Sequence, residues 1–353
     1  MRALVALGLL ALASCDSKST PAARSEESKR DAVEASPQAQ AIPKLPGTIW
    51  LADQRVLVRI ASGERHEMRL PDAGLFPSRF ALPDGRLVAI ASKGDGSADS
   101  EQLALVSPEG VISRIGPTAA MIRDPAVDPA GHWIVYAANP DGHSELYRLE
   151  LATHEVTRLT ENREGNFAPA ILGDSLVLAS SRDGDSEIYR LTGGKPQRLT
   201  AFHKDDWVPT PSPIGDQIAF LSDREGAVRI FLMAPDGTNQ RRLTTRAPSA
   251  HRSGERAGTP DATDEVEPTW SRDGKQLAYV VEHARERTVI VRQLATGAER
   301  ILSPPSVRDG EPSFSPDGTW LALAREKPAG VWAIRIADGH AVPVATGRLP
   351  RWH

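Results

Sequence analysis

The stretch DEVEPTWSRDGKQLAYVV at Asp264–Val281 decides the fold of this chain. A proline opens its first segment and removes one backbone donor, which is typical of a short strand that bends at its entry. The Asp-Gly pair ending at Gly274 tolerates the positive φ of a tight turn between strands. The apolar run Leu277–Val281 is typical of a second strand that is covered on both faces. The stretch therefore predicts a β-hairpin.

The same pattern recurs along the chain. Close copies are EPSFSPDGTWLAL at Glu311–Leu323 and DPAVDPAGHWIVY at Asp124–Tyr136, and looser copies lie at 209–220, 169–178 and 79–90. The turn glycines of the copies are Gly85, Gly131, Gly173, Gly215, Gly274 and Gly318. Their spacings are 46, 42, 42, 59 and 44 residues, so one repeat carries an insertion of about 15 to 17 residues.

Each repeat also ends in a similar way. The tripeptide Arg-Leu-Thr occurs at 158–160, 198–200 and 242–244, and Ile-Leu-Ser takes its place at 301–303. Further turns precede these segments, for example at Gly237, Gly297 and Gly339. Four short strands in a period of about 40 to 45 residues are the pattern of one β-propeller blade.

On these motifs the chain resembles the TolB-type, WD-like propeller repeat. The phrases that carry the resemblance are EPTWSRDGKQLAYV, EPSFSPDGTWLALA and SRDGDSEIYRL followed by QRLT. The resemblance covers roughly residues 47–353 and implies an all-β propeller. It says little about function, because one propeller fold serves many unrelated tasks.

The two ends of the repeat region complement each other. Three strands are predicted at Thr48–Ala52, Val56–Ile60 and Glu67–Leu70 without an opening Pro-x-Trp strand, whereas Gly347–Trp352 matches the opening phrase and then the chain stops. We therefore predict a propeller closed by a C-terminal strand that completes the first blade. Seven blades of about 44 residues fit the repeat length better than the alternative, six blades of about 51.

The N-terminus has the pattern of an exported lipoprotein. Met1-Arg2 precedes the apolar run Ala3–Ala13, and Leu12–Cys15 resembles the bacterial lipobox. The resemblance implies a signal peptide at 1–14 and a fatty-acylated (for example palmitoylated) Cys15 that anchors the protein to a membrane. The alternative is an ordinary signal peptide with an incidental cysteine. Asp16 resembles the inner-membrane retention signal of enteric bacteria, but this rule does not transfer to all bacteria, so anchoring to the inner membrane and anchoring to the outer membrane are both alternatives.

Residues 15–46 are predicted to form the lipidated cysteine and a disordered tether. The part after Cys15 contains no aromatic residue and is rich in Ser, Ala, Glu, Lys, Gln and Pro, a composition that cannot bury a core. A coil of this length spans on the order of 30 Å. A cell-wall-binding tail is the alternative interpretation.

Composition excludes several classes of protein. The net charge is −4, so there is no basic excess for binding nucleic acid, and we expect no nucleic-acid partner. Cys15 is the only cysteine, which rules out a disulfide within the monomer. No apolar run of 18 or more residues occurs beyond the extreme N-terminus.

Catalytic signatures are missing from the sequence. It has no Gly-x-Ser-x-Gly elbow, phosphate-binding glycine loop, Cys-x-x-Cys or His-Glu-x-x-His motif, and we expect no catalytic residues and no cofactor. Acidic hairpins at Asp95–Glu101 and Asp183–Glu187 offer oxygen ligands of the kind Ca²⁺ prefers, but Asp and Gly are also ordinary turn formers. The scattered histidines 203, 251, 283 and 340 predict no metal site.

Polar residues recur just before the opening proline of several repeats. Asp124, Glu267 and Glu311 precede it directly, whereas Asn166, Asp206, Glu265 and Asp309 lie three positions before it. These positions approach the mouth of a propeller's channel, where a ring of carboxylates attracts cations or a basic peptide. We predict a binding site there; the alternative is that solvated loop residues keep the strand entry polar.

The insertion at Thr245–Thr263 interrupts the repeats and contains almost no apolar residue. It is predicted to be a protruding loop, either functional or disordered. Taken together, the sequence predicts a monomeric, periplasm-facing lipoprotein whose propeller binds other proteins of the bacterial envelope. The alternative is a propeller enzyme, a hydrolase or lyase, or a receptor that acts on envelope polysaccharide or peptide at the channel mouth.

Overall fold

The computed structural model describes residues 44–53, 56–69, 74–93, 100–162, 164–244, 263–284 and 286–353. In these residues the chain forms 28 strands and a single 3-10 turn at Pro305–Val307. The strands make seven antiparallel sheets of four, which are the seven blades of a β-propeller. The predicted fold class and the count of seven are confirmed. No helix of the described residues is long and apolar enough to cross a membrane.

The blades are numbered along the chain, and the strands of each blade are named from the innermost to the outermost. Blade 1 contains β28 (Arg348–Trp352), β1 (Thr48–Asp53), β2 (Val56–Ala61) and β3 (Glu64–Arg69). Blade 2 contains β4 (Leu75–Ala81), β5 (Leu87–Ser92), β6 (Glu101–Val106) and β7 (Ile112–Ala119). Blade 3 contains β8 (Arg123–Val127), β9 (Trp133–Ala138), β10 (Glu145–Glu150) and β11 (Val156–Arg158). Blade 4 contains β12 (Asn166–Leu172), β13 (Ser175–Asp183), β14 (Asp185–Thr192) and β15 (Lys195–Arg198).

The remaining three blades follow the same order. Blade 5 contains β16 (Asp206–Pro211), β17 (Ile218–Ser222), β18 (Arg229–Met233) and β19 (Arg241–Arg242). Blade 6 contains β20 (Thr263–Trp270), β21 (Gln276–His283), β22 (Glu286–Gln293) and β23 (Glu299–Ile301). Blade 7 contains β24 (Asp309–Phe314), β25 (Trp320–Glu326), β26 (Ala329–Arg335) and β27 (Ala341–Ala345).

Blade 1 closes the ring with strands from both ends of the described chain. β28 pairs with β1, with Ile49 opposite Trp352, and the indole N–H of Trp352 donates to the carbonyl of Pro46. Gly47 has φ +76° and lies against the His353 carbonyl and Pro316, where a side chain has no room. The predicted closure by a C-terminal strand is confirmed.

The turns that were predicted from Asp-Gly pairs are present. The N–H of Gly274 donates to the Ser271 carbonyl at 2.9 Å, and the Ser271 hydroxyl donates to Asp273 Oδ1 at 2.7 Å. Gly274 has φ +70°, and the other five turn glycines of the repeats also have positive φ. Glycine is favoured at these positions because a side chain makes this conformation costly.

The hydrophobic core lies between neighbouring blades. In β21 the side chains of Leu277 and Tyr279 pack toward blade 5, whereas those of Ala278 and Val280 pack toward blade 7. Strand 2 of a blade therefore buries both of its faces, as its continuous apolar sequence indicates.

Because all neighbouring strands are antiparallel, the connections alternate between two faces of the disc. The entry face, as we call it, carries the starts of the innermost strands, the connections from strand 2 to strand 3 and those from one blade to the next. The turn face carries the connections from strand 1 to strand 2 and from strand 3 to strand 4. Pro46 and His353 lie at the turn face, beside the Ser315–Gly318 turn of blade 7.

Candidate functional site

The innermost strands share a β-bulge at the residue that precedes the proline. In six of the seven described strands this residue has a positive φ between 47° and 56°: Asp124, Ala168, Val208, Glu267, Glu311 and Leu349. β4 has Arg79 at the proline position and has no such residue. A bulge re-aims a side chain out of the regular ladder, and positive φ in residues other than glycine costs on the order of 1–3 kcal/mol. The six strained residues thus form a ring of equivalent positions near the entry face.

Two of the predicted site residues form a chain of hydrogen bonds across three blades. Glu267 Oε2 in blade 6 accepts the N–H of Glu311 in blade 7 at 2.6 Å. Glu311 Oε2 accepts the N–H of Leu349 in blade 1, also at 2.6 Å. Arg287 donates to Glu267 as well. Burial lowers the pKa of Arg287, but the neighbouring carboxylates, Glu267 foremost, together outweigh it and the pKa is raised.

Asp124 occupies the same bulge position in blade 3 and is exposed. The three predicted site residues that directly precede a proline thus lie at equivalent places of the entry face, in blades 3, 6 and 7. Glu267 and Glu311 are largely but not completely buried, so their carboxylates make a structural bond and keep some access to solvent.

The four predicted site residues that lie three positions before the proline are fully buried: Asn166, Asp206, Glu265 and Asp309. Three of them accept a hydrogen bond from an arginine that lies near the end of strand 2 or just after it. Arg182 donates to Asn166 at 3.0 Å, Arg224 to Asp206 at 2.6 Å, and Arg325 to both oxygens of Asp309 at 2.7 Å. These three guanidinium groups also lie 4.5–4.6 Å from the ring centres of Tyr189, Phe231 and Trp332.

The fourth buried residue, Glu265, joins blade 6 to blade 5. Its carboxylate accepts the Thr244 hydroxyl at 2.5 Å and the N–H of Ile230 at 3.1 Å. Thr244 and Glu265 lie on either side of the insertion in sequence. The interior of the insertion, like Asp95–Asp99 and Cys15, lies outside the described residues.

The structure places the seven residues on one face but separates them into two groups. Asp124, Glu267 and Glu311 reach solvent at the bulge, whereas the other four side chains are turned into the blades and hold strands together. A direct role in binding stays a prediction for all seven. Three of the four buried residues are paired with arginines that are distant in sequence, and this pairing is not visible from the repeat position.

Two buried carboxylates support the entry face: Glu145, which sequence reasoning missed, and Glu187, which it considered only as the end of an acidic hairpin. Glu145 accepts the Thr160 hydroxyl at 2.5 Å and the amide of Asn166 at 2.8 Å. Glu187 accepts the Thr200 hydroxyl at 2.5 Å and the N–H of Phe202 at 2.6 Å. The signal was available, since Ser-Glu-Leu-Tyr at 144–147 and Ser-Glu-Ile-Tyr at 186–189 recur 42 residues apart, each before an Arg-Leu-Thr.

The described surface of the entry face has exposed carboxylates, the exposed Lys204 and isolated apolar side chains. Exposed carboxylates in blades 4 and 5 are Asp183, Asp185, Asp205 and Glu225. Met121 is 55% exposed and Phe202 is 47% exposed, with the Arg224 guanidinium 4.9 Å from the Phe202 ring. In the described residues no three His, Cys, Asp or Glu side chains are grouped to hold a metal ion.

Comparisons with known proteins agree with this architecture. Residues 118–262 match the family model of the TolB beta propeller domain, and this range includes all of blades 3, 4 and 5. TolB from Acinetobacter baumannii is similar in structure, with TM-score 0.57, 22% identity, and coverage of 76% of this chain and 66% of that one. The match thus spans just under two thirds of that TolB chain.

Enzymes have the same fold. An oligogalacturonate lyase solved with manganese has TM-score 0.63 at 17% identity, with coverage of 86% of this chain and 85% of that one. A puromycin-hydrolyzing peptidase of Mycobacterium tuberculosis has TM-score 0.59 at 15% identity, with coverage of 90% and 56%. At these identities the likeness shows the fold alone.

The fold defines the class: this is a seven-bladed β-propeller closed by its own C-terminal strand. The repeat motifs, the family model that matches residues 118–262 and the likeness to TolB from Acinetobacter baumannii support a TolB-like propeller.

Proposed function

We propose that this protein is a lipid-anchored, periplasm-facing propeller of the bacterial envelope that binds other proteins through its entry face. The observation that carries the proposal is the position of the two ends of the propeller. Pro46, the last residue of the predicted tether, meets Trp352 at the turn face. The entry face, which carries the connections between the blades, is the opposite face, and we assign it to the partner.

The charge of the entry face indicates the kind of partner. Exposed carboxylates of blades 4 and 5 share the entry face with the exposed Phe202, and the largely buried Glu267 and Glu311 lie in blades 6 and 7. A partner segment with basic residues around an apolar side chain complements such a surface, and charge complementarity accelerates association. We propose that the partner is a protein and that the propeller is a monomer.

A matched pair of variants tests which face binds. Asp185 and Asp174 are both exposed in blade 4, the first at the entry face and the second at the turn face. We expect Asp185→Lys to weaken capture of the membrane proteins that wild type retains, and Asp174→Lys to capture them normally. Equal capture by both variants would contradict the assignment of the entry face.

A second candidate function is the binding or cleavage of an envelope polysaccharide. The observation that favours it is the set of carboxylates that reach solvent at the bulge, Asp124, Glu267 and Glu311, on a fold that the oligogalacturonate lyase shares. Uronate oligosaccharides incubated with the protein and Mn²⁺ test it directly, with new unsaturated ends read by ultraviolet absorbance. Turnover that Asp124→Asn abolishes would favour this candidate over the protein-binding platform.

A further inference from the structure

Four successive blade junctions have two equivalent positions, one near the start of strand 3 and one three positions before the next proline. Their occupants are Glu145 and Asn166, Glu187 and Asp206, Arg229 and Glu265, and Thr288 and Asp309. Of these four junctions, the one between blades 4 and 5 is alone in having a carboxylic acid at both positions.

The junction between blades 3 and 4 shows how such a pair interacts. Asn166 donates its amide to Glu145 Oε2 at 2.8 Å and accepts from Arg182 through Oδ1 at 3.0 Å. The Thr160 hydroxyl donates to the same Glu145 oxygen at 2.5 Å. Each of these buried polar atoms has a partner.

The junction between blades 4 and 5 repeats this arrangement with one donor missing. Arg224 donates to Asp206 Oδ2 at 2.6 Å, as Arg182 does to Asn166. The Thr200 hydroxyl donates to Glu187 Oε2 at 2.5 Å and also neighbours Asp206. Asp206 Oδ1, which takes the place of the Asn166 amide nitrogen, is buried without a hydrogen-bond partner. A buried carboxylate oxygen without a partner is unfavourable, and so is repulsion between two neighbouring carboxylates. A proton between the two acids removes both penalties.

We propose that Glu187 and Asp206 share one proton, which lets Asp206 donate to Glu187 as Asn166 donates to Glu145. Release of this proton places two negative charges together and weakens the connection between blades 4 and 5. The device makes the entry face sensitive to pH, which goes beyond a role in binding.

Several elements place charged groups around the pair. Glu187 of β14 is paired with Arg198 of β15, Arg182 near the end of β13 is bonded to Asn166 of β12, and Arg224 follows β17. Lys204, Asp205 and Asp223 lie in the adjoining connections. Burial raises the pKa of Asp206 to about 6, although the Ser222 hydroxyl and Arg224 oppose the shift. Because the pKa of Asp206 is raised in the folded state, the bound proton stabilises the fold fully at pH values below the unfolded-state pKa. This stabilisation is lost as pH rises through about 6.

The shared proton affects the entry face because Glu187 also accepts a hydrogen bond from the connection that contains Phe202. Glu187 Oε1 accepts the N–H of Phe202 at 2.6 Å, and Asp205 Oδ1 accepts the N–H of Ser186 at 2.8 Å. Repulsion between Glu187 and Asp206 therefore acts on the segment between them, residues 202–206, at the entry face.

The repeat supplies matched variants for the test. Asp206→Asn restores the donor found at Asn166 while keeping an acceptor for Arg224, so we expect it to fold. The melting temperature of wild type should fall by several degrees between about pH 5 and about pH 8, and that of Asp206→Asn should be nearly flat and higher at the upper pH. Asn166→Asp should create a second pair and steepen the fall. Asp309→Asn, which weakens the charged pair with Arg325, should lower the melting temperature equally across this range.

A site-resolved titration completes the test. The ¹³C carboxyl resonance of Asp206 should titrate near pH 6, and the transition should move when Glu187 is replaced by Gln. An Asp206 resonance that titrates in the ordinary range near 4, or parallel melting profiles for wild type and Asp206→Asn, would overturn the shared proton.

Discussion

The carboxylate of Glu267 accepts the backbone N–H of Glu311, with 2.6 Å between Oε2 and N, although the two residues are 44 positions apart. Glu311 makes the same bond to Leu349 in the following blade. A side chain at one bulge thus fixes the backbone of the next bulge. Blades 6, 7 and 1 are connected in series around the channel, across the point where the propeller closes.

Glu267→Ala removes the acceptor of the Glu311 N–H and leaves Arg287 without its closest carboxylate. Since both partners are largely buried, we expect a loss of about 2–3 kcal/mol in the free energy of unfolding. Chemical denaturation measures this loss. Glu326→Ala removes a carboxylate from a more exposed pair with Arg308 and should change stability little. A similar effect of both variants would contradict the linking role of Glu267.

Thr160→Val tests the buried hydroxyl that closes blade 3. This hydroxyl donates to Glu145 Oε2 and accepts the N–H of Leu146 at 2.9 Å, so valine leaves the buried Leu146 N–H without a partner and removes one of the two donors to Glu145 Oε2. We expect a loss of about 2 kcal/mol in the free energy of unfolding, read from urea denaturation. Thr238→Val at an exposed turn is the control and should leave the midpoint nearly unchanged. Equal midpoints for wild type and Thr160→Val would refute the argument.

Deletion of Arg348–His353 removes β28 and exposes β1 of blade 1 to solvent and to other chains. We expect a large fall in melting temperature or loss of soluble expression, because an unpaired strand beside a buried core promotes aggregation. Deletion of residues 20–40 is the control and should leave thermal melting unchanged. An unchanged melting curve for the C-terminal deletion would contradict the closure.

Replacing residues 246–261 with a four-residue turn should leave the fold intact. Glu265 and Thr244 bond to each other beside the insertion, and surface connections tolerate changes in length. If the entry face binds a basic partner, the shortened protein should bind it with an altered salt dependence of the on-rate, measured by surface plasmon resonance. Unchanged kinetics at every salt concentration would exclude the insertion from the binding surface.

Cys15→Ser tests the predicted anchor. We expect the variant to stay unprocessed at the signal peptide or to be released as a soluble protein, because Cys15 is the only cysteine available for acylation. Fractionation with detergent partitioning and mass spectrometry of the N-terminal peptide measure both outcomes. Wild-type partitioning with the same processed mass would show that the protein is not a lipoprotein.

Local patterns were enough to predict the architecture. The positive φ at Gly274 and Gly318, the continuous apolar second strands and the unmatched strand at Arg348–Trp352 are each readable over fewer than 20 residues. Turn conformation and the burial of a strand depend mainly on neighbouring residues, so the repeats alone determined the number of blades and the closure.

Only the tertiary structure decided what the polar residues near each proline do. Asp206 and Asp309 sit at the same position of the repeat as Asn166, yet their surroundings differ with the side chain that the preceding blade brings, Glu187 or Thr288. The arginines that bury them lie 16 to 18 residues away in sequence and reach them only because strands 1 and 2 pair. The burial and the hydrogen-bond partners of Asn166, Asp206 and Asp309 depend on these through-space neighbours, which the position in the repeat does not reveal.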